Sequence, residues 1–236
     1  MKDVSLKDLL KAGCHFGHKA ARWYPKAAPY IFTQRDGVHI IDLVQTKAGL
    51  ETAGNFLVET AKNDGSIVFV GAKRQAEAII EEAAKRAGAY YLTQKWPGGL
   101  LTNFAVMKKN LDRIKESEEK TKDEKYTKKE RLLAKREMDK LLVMYGGLQG
   151  MTKLPDAVFI VDVKKFAGAI REAGAMGVKI IAITDTNVDP EPVTYPIPAN
   201  DDAVGSIKII VDYLADCWIE GKKLQEKIPD AAGMTS

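Results

Sequence analysis

The order of apolar and polar positions divides most of the chain into alternating strands and helices. Short apolar runs, which are typical of buried strands, predict strands over 38–44, 66–71, 90–92, 157–161 and 179–183, with a short one near Tyr195. Helical periodicity predicts helices over 6–12, 47–62, 74–87, 164–176 and 201–221. Strands that alternate with helices form βαβ units, so the pattern predicts an α/β fold. We expect a Rossmann-like or flavodoxin-like sandwich, with helices on both faces of a parallel sheet.

One segment, residues 104–150, departs from this alternation. It carries two apolar stripes with alternating spacings of three and four residues, which is the heptad pattern of a coiled coil. The stripes are Phe104, Met107, Leu111 and Ile114, then Ala134, Met138, Leu141, Tyr145 and Leu148. A polar stretch between them ends at Thr127 and Glu130, a capping-box pattern that predicts a helix start. The segment is therefore predicted to be an antiparallel coiled-coil hairpin that projects from the domain.

The hairpin divides the predicted domain organisation. Residues 1–103 and 151–228 form the α/β domain, residues 104–150 are the inserted hairpin, and residues 229–236 are a mobile tail because they are small and polar.

Near the start of the chain, residues 19–35 form a segment that we call the basic arm. It combines lysines and arginines with aromatic residues, and Pro25 and Pro29 disfavour a long helix there. A short strand over 30–33 and a turn at Asp36 and Gly37 are predicted instead. Cations interleaved with aromatic rings are typical of segments that bind single-stranded nucleic acid. The basic arm is therefore a candidate RNA-binding element.

Charge is unevenly distributed along the chain, whose net charge is +4. Residues 1–35 hold seven Lys or Arg against two Asp or Glu, whereas residues 154–236 hold eight against thirteen. This asymmetry indicates a polyanionic partner on one side of the molecule.

Composition limits the location of the protein. No apolar run is long enough to span a membrane, and the first residues lack the apolar core of a signal peptide. The two cysteines, Cys14 and Cys217, do not suggest a disulfide framework. A reducing compartment is therefore expected, either the cytosol or an organelle matrix.

The cluster of Cys14, His15 and His18 raises the question of chemistry. A nucleophilic enzyme needs a further group that orients its histidine, and the sequence indicates none. The usual paired ligand spacing of structural zinc is also missing, so a packed turn is the main interpretation and zinc the alternative.

A nucleotide-binding α/β enzyme with a helical docking arm is the alternative function. Lys73 and Arg74 follow Gly71 at a predicted helix start, where a phosphate of RNA or of a nucleotide could bind. However, the glycine-rich fingerprints of dinucleotide-binding and P-loop proteins are missing. Solvated cations at a capped helix explain these residues equally well.

Two further segments allow a functional and a structural interpretation. In the loop 95–103, Lys95 and Trp96 could contact RNA by charge and stacking, or Trp96 could anchor the hinge of the hairpin. Asp185, Asp201 and Asp202 could hold Mg²⁺ or, together with a histidine, Zn²⁺. The same aspartates also suit turns and helix caps.

Eight motifs in combination resemble the family of protein two of the small ribosomal subunit, in its bacterial or organellar form. They are Ala12–His18, Trp23–Lys26, Val38–Leu43, Phe69–Lys73, Trp96–Asn103, Leu154–Ala157, Asp185–Pro190 and Ile197–Ala203. The charged hairpin is also similar to that of the bacterial branch. Pro97 departs from the family pattern, which often has leucine there, and Cys14 commonly aligns with an apolar residue.

The resemblance implies a structural constituent of the small subunit with no enzymatic activity. Its expected partners are 16S-type rRNA near the junction of head and body, neighbouring small-subunit proteins, and the large mRNA-binding first protein of that subunit. Neither a membrane nor a small-molecule substrate is expected. The expected location is cytoplasmic and ribosome-bound, with an organelle matrix as the alternative.

The resemblance also directs attention to particular residues. The predicted rRNA-binding residues are His15, Lys19, Arg22, Trp23, Lys26, Arg35, Lys73, Arg74, Lys95, Trp96 and Asn103. No cofactor is required, but some relatives hold a metal, which here would be Zn²⁺ or Mg²⁺ at His18, Asp185, Asp201 and Asp202.

Overall fold

A five-stranded parallel sheet, which we call the core sheet, forms the centre of the computed structural model, which describes residues 3–227. Its strands are β4 (Ile67–Val70), β5 (Tyr90–Leu92), β6 (Ala157–Ile160), β7 (Lys179–Thr184) and β8 (Tyr195–Pro198). They lie in the order β5-β4-β6-β7-β8, and each pair of neighbours is parallel. Counted within this sheet, the order is 2-1-3-4-5, the flavodoxin-like arrangement. The predicted fold class is confirmed.

Helices cover both faces of the core sheet. They are α2 (Leu43–Lys62), α3 (Glu77–Ala87) and α7 (Val204–Glu226) on one face, and α6 (Ala167–Met176) with the base of the hairpin on the other. Alternate residues of each strand enter the two cores, as the pleat requires. In β4, Phe69 packs into the first core and Val68 into the second. This double burial explains why β4 and β6 are apolar at every position.

The hairpin consists of α4 (Phe104–Lys122) and α5 (Lys128–Tyr145). Asn110 Nδ2 near the start of α4 donates to the hydroxyl of Tyr145 at the end of α5 at 3.2 Å, so the two helices run antiparallel. Thr127 and Glu130 form the complete capping box at the start of α5. Met107, Leu111 and Ile114, which belong to the first predicted stripe, are buried along the seam.

A short helix, α1 (Leu6–Lys11), precedes a three-stranded antiparallel sheet, which we call the arm sheet. Its strands are β1 (Phe16–Lys19), β2 (Ile31–Arg35) and β3 (Val38–Ile41), in the order β1-β3-β2. The predicted turn at Asp36 and Gly37 joins β2 to β3, and both residues have positive φ angles, of 51° and 77°. One turn of 3-10 helix at Ala20–Arg22 and two turns at Pro25–Tyr30 replace the regular helix that the prolines disfavour.

Four helix starts differ from their predictions. Helix α2 begins four residues early because Asp42 caps it by accepting from the Val44 amide at 2.8 Å. Helices α3, α6 and α7 each begin three residues after the predicted position, since turns first carry the chain away from the preceding strand. The predicted tail, 229–236, lies outside the described residues, and no described helix could cross a membrane.

Candidate nucleic-acid interface and acidic cluster

Four aspartates meet at the carboxyl edge of the core sheet, and we call them the acidic cluster. Asp162 follows β6, Asp185 follows β7, and Asp201 and Asp202 follow β8. The carboxyl ends of parallel strands lie at one edge of the sheet, so residues distant in sequence become neighbours. Asp185 and Asp201 are 1% and 2% exposed, which means that their charges need partners within the protein.

Lys73, which follows β4, supplies the main countercharge. Its Nζ lies 2.7 Å from Asp201 Oδ1, 2.8 Å from Asp202 Oδ1 and 3.5 Å from Asp162 Oδ2. Burial alone would lower the pKa of this ammonium, but the three carboxylates outweigh burial and raise it. Lys73 is therefore a permanent cation at the centre of the cluster.

Asp201 is the most deeply enclosed member of the cluster that contacts Lys73. Burial raises its pKa to about 7, and the charge of Asp185 acts in the same direction, while Lys73 opposes both. Although Lys73 Nζ is close to Asp201 Oδ1, the contact does not have hydrogen-bond geometry. The protonation of Asp201 is thus sensitive to the groups around it.

His18 of β1 reaches the cluster from the arm sheet. Its Nδ1 lies 3.0 Å from Asp185 Oδ1, and its Nε2 lies 3.5 Å from Asp202 Oδ2. The hydrogen bond to Asp185 raises the pKa of His18, and the charges of the other aspartates add to this effect against burial. A carboxylate that holds one ring nitrogen leaves the other directed at the remaining aspartates.

The donor set fits a metal ion. Ligand atoms of His18, Asp201 and Asp202 lie within 4.8 Å of one another, while Asp185 orients the imidazole as outer carboxylates do at zinc sites. One nitrogen and two carboxylates suit Zn²⁺ better than Mg²⁺, which prefers oxygen ligands and water. Such an ion would have to displace Lys73 Nζ from between Asp201 and Asp202. All four predicted metal residues are thus brought together, although in this structure the cation among them is a lysine.

The arm sheet is fastened to this edge through Thr186, which follows Asp185. Thr186 Oγ1 accepts from the His18 amide at 2.9 Å, and its carbonyl accepts from the Tyr24 amide at 2.7 Å. A Cβ atom on Gly17 would lie 2.7 Å from Thr186 Cγ2, so only glycine allows this approach. Lys26 adds ion pairs with Asp189, at 3.2 Å, and with Glu191.

All four predicted RNA-binding cations of the arm are exposed, but Lys26 is ion-paired as described and Arg35 Nε lies 3.7 Å from Asp36 Oδ2. Lys19 and Arg22 make no ion pair among the described residues. Lys19 and Arg35 both pair with Val38 of β3, from its two sides, so they occupy one row of the arm sheet about 10 Å apart, two strand spacings. Arg22 lies in the exposed 3-10 turn that follows Lys19. Trp23 is 42% exposed, and its ring meets the buried His39 edge-on at 5.4 Å. These residues form what we call the basic face: Lys19, Arg22, Trp23 and Arg35.

The other predicted RNA-binding residues are dispersed. Arg74 is exposed after β4, Lys95 and Asn103 are exposed in the loop between β5 and α4, and His15 is half-buried with its ring 4.0 Å from that of Phe16. Trp96 is half-buried against the second core and donates from Nε1 to Glu172 at 3.1 Å. That contact supports the hinge-anchor interpretation of Trp96.

Sequence reasoning missed two residues of importance, Asp162 and Glu172. Asp162 comes directly after the apolar run 157–161, at the carboxyl end of a predicted strand, as Asp185 does. Sites of open α/β sheets lie at this end of the strands, so Asp162 could have been found in the same way. Glu172 lies in a helix of ordinary amphipathic pattern, and nothing local distinguishes it from a solvated glutamate.

The chain is similar to known proteins over most of its length. Residues 9–221 match the sequence profile of ribosomal protein S2. Proteins named small ribosomal subunit protein uS2 from Dictyoglomus thermophilum and Fusobacterium nucleatum are 49% and 45% identical to this chain. These alignments cover 98% and 97% of the chain, and 95% and 94% of the relatives. A third uS2 protein, from Picosynechococcus, is 48% identical over 94% of the chain and 88% of its own length.

The match spans the arm sheet, the core sheet and the hairpin, and it includes every residue of the acidic cluster and the basic face. The chain therefore belongs to the ribosomal protein S2 family, whose members are structural components of the ribosome and not enzymes, as the sequence predicted.

Proposed function

We propose that this protein is a structural constituent of the small ribosomal subunit and binds its rRNA through the basic face. The observation that carries the proposal is the row formed by Lys19 and Arg35, continued by Arg22, on a sheet whose position the acidic cluster fixes. Exposed cations on a rigid frame suit the phosphates of a folded RNA. Trp23 offers an exposed ring beside them for an unpaired base.

Two of the predicted RNA-binding lysines already have carboxylate partners. Lys73 is enclosed by three carboxylates, and Lys26 is paired with Asp189 and Glu191. A phosphate would have to compete with these partners. The same carboxylates disfavour a nucleotide phosphate at the carboxyl edge, where flavodoxin-like folds bind their ligands. The alternative of a nucleotide-binding enzyme therefore has no support.

The finer parts of the proposal concern location and partners. We infer a cytoplasmic, ribosome-bound protein near the junction of head and body, in contact with neighbouring small-subunit proteins. The hairpin is proposed as the arm that docks the large mRNA-binding first protein. Its outer face combines exposed Leu132, Leu133 and Val143 with many charged residues, as a protein-docking helix requires.

A matched pair of triple variants tests the RNA contact. One replaces Lys19, Arg22 and Arg35 with alanine, and the control replaces Lys164, Lys179 and Lys223, three exposed lysines of the acidic half. Both variants lose three positive charges, so any effect of net charge is equal. The first should lower rRNA affinity and reduce the slope of log K against log salt by about 2 to 3.

Sedimentation with small subunits provides the second measurement. The basic-face variant should be depleted from the subunit peak of a gradient, and the control should not. Equal incorporation of both variants, or a wild-type affinity that does not change with salt, would contradict the proposal.

A further inference from the structure

A single carboxylate, that of Glu172 in α6, holds the loop that leads into the hairpin. Its Oε1 accepts from the Gly99 amide at 2.8 Å and from Trp96 Nε1 at 3.1 Å. Its Oε2 accepts from the amides of Leu101, at 3.0 Å, and Thr102, at 3.3 Å, and from the Thr102 hydroxyl at 3.3 Å. Five donors of one short loop thus converge on one side chain.

The loop is shaped as an anion-binding nest. Gly99 has a φ angle of 84°, a conformation that suits glycine and turns successive amides toward one point. Burial alone would raise the pKa of Glu172, but the amides of Gly99 and Leu101 and the indole of Trp96 outweigh it and lower the pKa. The nest therefore holds a charged carboxylate, which accepts stronger hydrogen bonds than a neutral group.

The nest lies directly before the first helix of the hairpin, so it affects how that helix leaves the core. Helix α4 begins at Phe104, two residues after Thr102, and the N-cap residue Asn103 makes no side-chain capping bond. The returning end of the hairpin is fixed separately, since a Cβ atom on Gly147 would lie 2.3 Å from the carbonyl oxygen of Tyr91. The outgoing end is held at its base by Glu172.

We propose that Glu172 is a positioning residue that sets the direction of the hairpin by filling a carboxylate-binding nest in the loop 96–102. The inference does not rest on the proposed RNA contact. It concerns the free protein and can be tested without ribosomes. The proposal also means that the nest is specific for a carboxylate, whereas a purely steric contact would show no such chemical preference.

Distance measurements between two spin labels test the direction of the hairpin. Cysteines introduced at Glu124, on the hairpin turn, and at Lys179, on the core, carry the labels, because the native Cys14 and Cys217 are buried. The wild-type background should give one narrow distance distribution. Glu172→Ala should broaden this distance distribution and lower Tm. Glu172→Gln, which keeps one acceptor oxygen, should give a width and a Tm between those of the wild type and Glu172→Ala.

Chemical rescue distinguishes a nest from ordinary packing. Sodium formate should narrow the distribution and raise the Tm of Glu172→Ala, whereas sodium chloride at equal ionic strength should not. Glu137→Ala is the matched control, since Glu137 is exposed on α5 and makes no hydrogen bond or ion pair with the described residues. A narrow distribution in Glu172→Ala, or formate acting no better than chloride, would overturn the proposal, whatever the RNA experiment gives.

Discussion

Replacing Lys73 with methionine should destabilise the fold, because it leaves the acidic cluster without its central cation. Lys73 and Asp201 have side chains that are 17% and 3% exposed, so water cannot replace the lost partner. Breaking a buried ion pair costs about 3–5 kcal/mol when the remaining group stays charged. Asp201 can instead take up a proton, and because its pKa in the folded protein is about 7, this costs only about 1.4 kcal/mol at pH 8. With the lost contacts to Asp162 and Asp202 added, we expect a total loss of about 2 kcal/mol at pH 8.

Urea and thermal unfolding of the purified protein measure this effect. In a domain of this size, 1 kcal/mol shifts Tm by about 2–4 °C, so Lys73→Met should lower Tm by roughly 4–8 °C at pH 8. Lys164→Met, which removes an exposed lysine from the same β6–α6 region that supplies Asp162, should change stability by less than about 0.5 kcal/mol. The loss should also be smaller at pH 5.5 than at pH 8, because acid neutralises Asp201.

A double-mutant cycle decides whether the charge is the cause. If an unpaired Asp201 carboxylate produces the loss, Lys73→Met combined with Asp201→Asn should be more stable than Lys73→Met alone. If the double variant is as unstable as the single one, or if Lys73→Met costs less than about 1 kcal/mol, buried-charge reasoning is refuted for this site.

The remaining predictions concern pH, metal and the arm. Folding raises the pKa of Asp201 to about 7 and raises that of His18, so the folded protein binds more protons than the unfolded chain. The free energy of unfolding should therefore fall as pH rises from 5.5 to 8, and His18→Gln should make this fall less steep. A free energy of unfolding that rises with pH would contradict both pKa shifts. Added Zn²⁺ should raise the Tm of the wild type but not of His18→Gln, and an unchanged wild-type Tm would argue against metal binding. Lys26→Ala should weaken rRNA binding less than Arg22→Ala in filter binding, because Lys26 already has carboxylate partners; the opposite order would show that the ion pairs open on binding.

The core sheet was predictable because its signal is local. Strand β4, Ile67–Val70, is apolar at every position, and the structure shows why: Phe69 and Val68 enter opposite cores. Helix ends were predictable where a side chain marks them, as at Thr127 and Glu130. Helix starts that depend on a turn after a strand were not predictable, since no side chain caps α3 or α6.

The site was harder to predict because its partners are far apart in the chain. Gly71, Lys73 and Arg74 form a pattern that fits a phosphate site, and nothing nearby indicates that Asp162 and Asp201 will neutralise Lys73. The proximity of Asp162 follows from strand order, which places the carboxyl ends of β4 and β6 side by side, and Asp201 reaches Lys73 from the loop after β8 at the same edge of the sheet. Strand order is a property of the whole fold, so residue spacing alone does not give it.

Strand order also explains how a basic surface can sit on an acidic edge. The four aspartates of the acidic cluster are at most half compensated within the protein, by Lys73 and by His18 when it is protonated, and Lys26 pairs with both adjoining carboxylates, Asp189 and Glu191. What projects toward solvent from the arm is the charge of Lys19 and Arg22, which make no ion pair among the described residues, and of Arg35, whose Nε lies 3.7 Å from Asp36 Oδ2. Exposed charges act over a Debye length of about 8 Å at physiological salt, so an approaching RNA senses mainly these nearest cations. Residues 154–236 therefore position the proposed RNA-binding arm, while their internal ion pairs reduce the repulsion that their carboxylates exert on RNA.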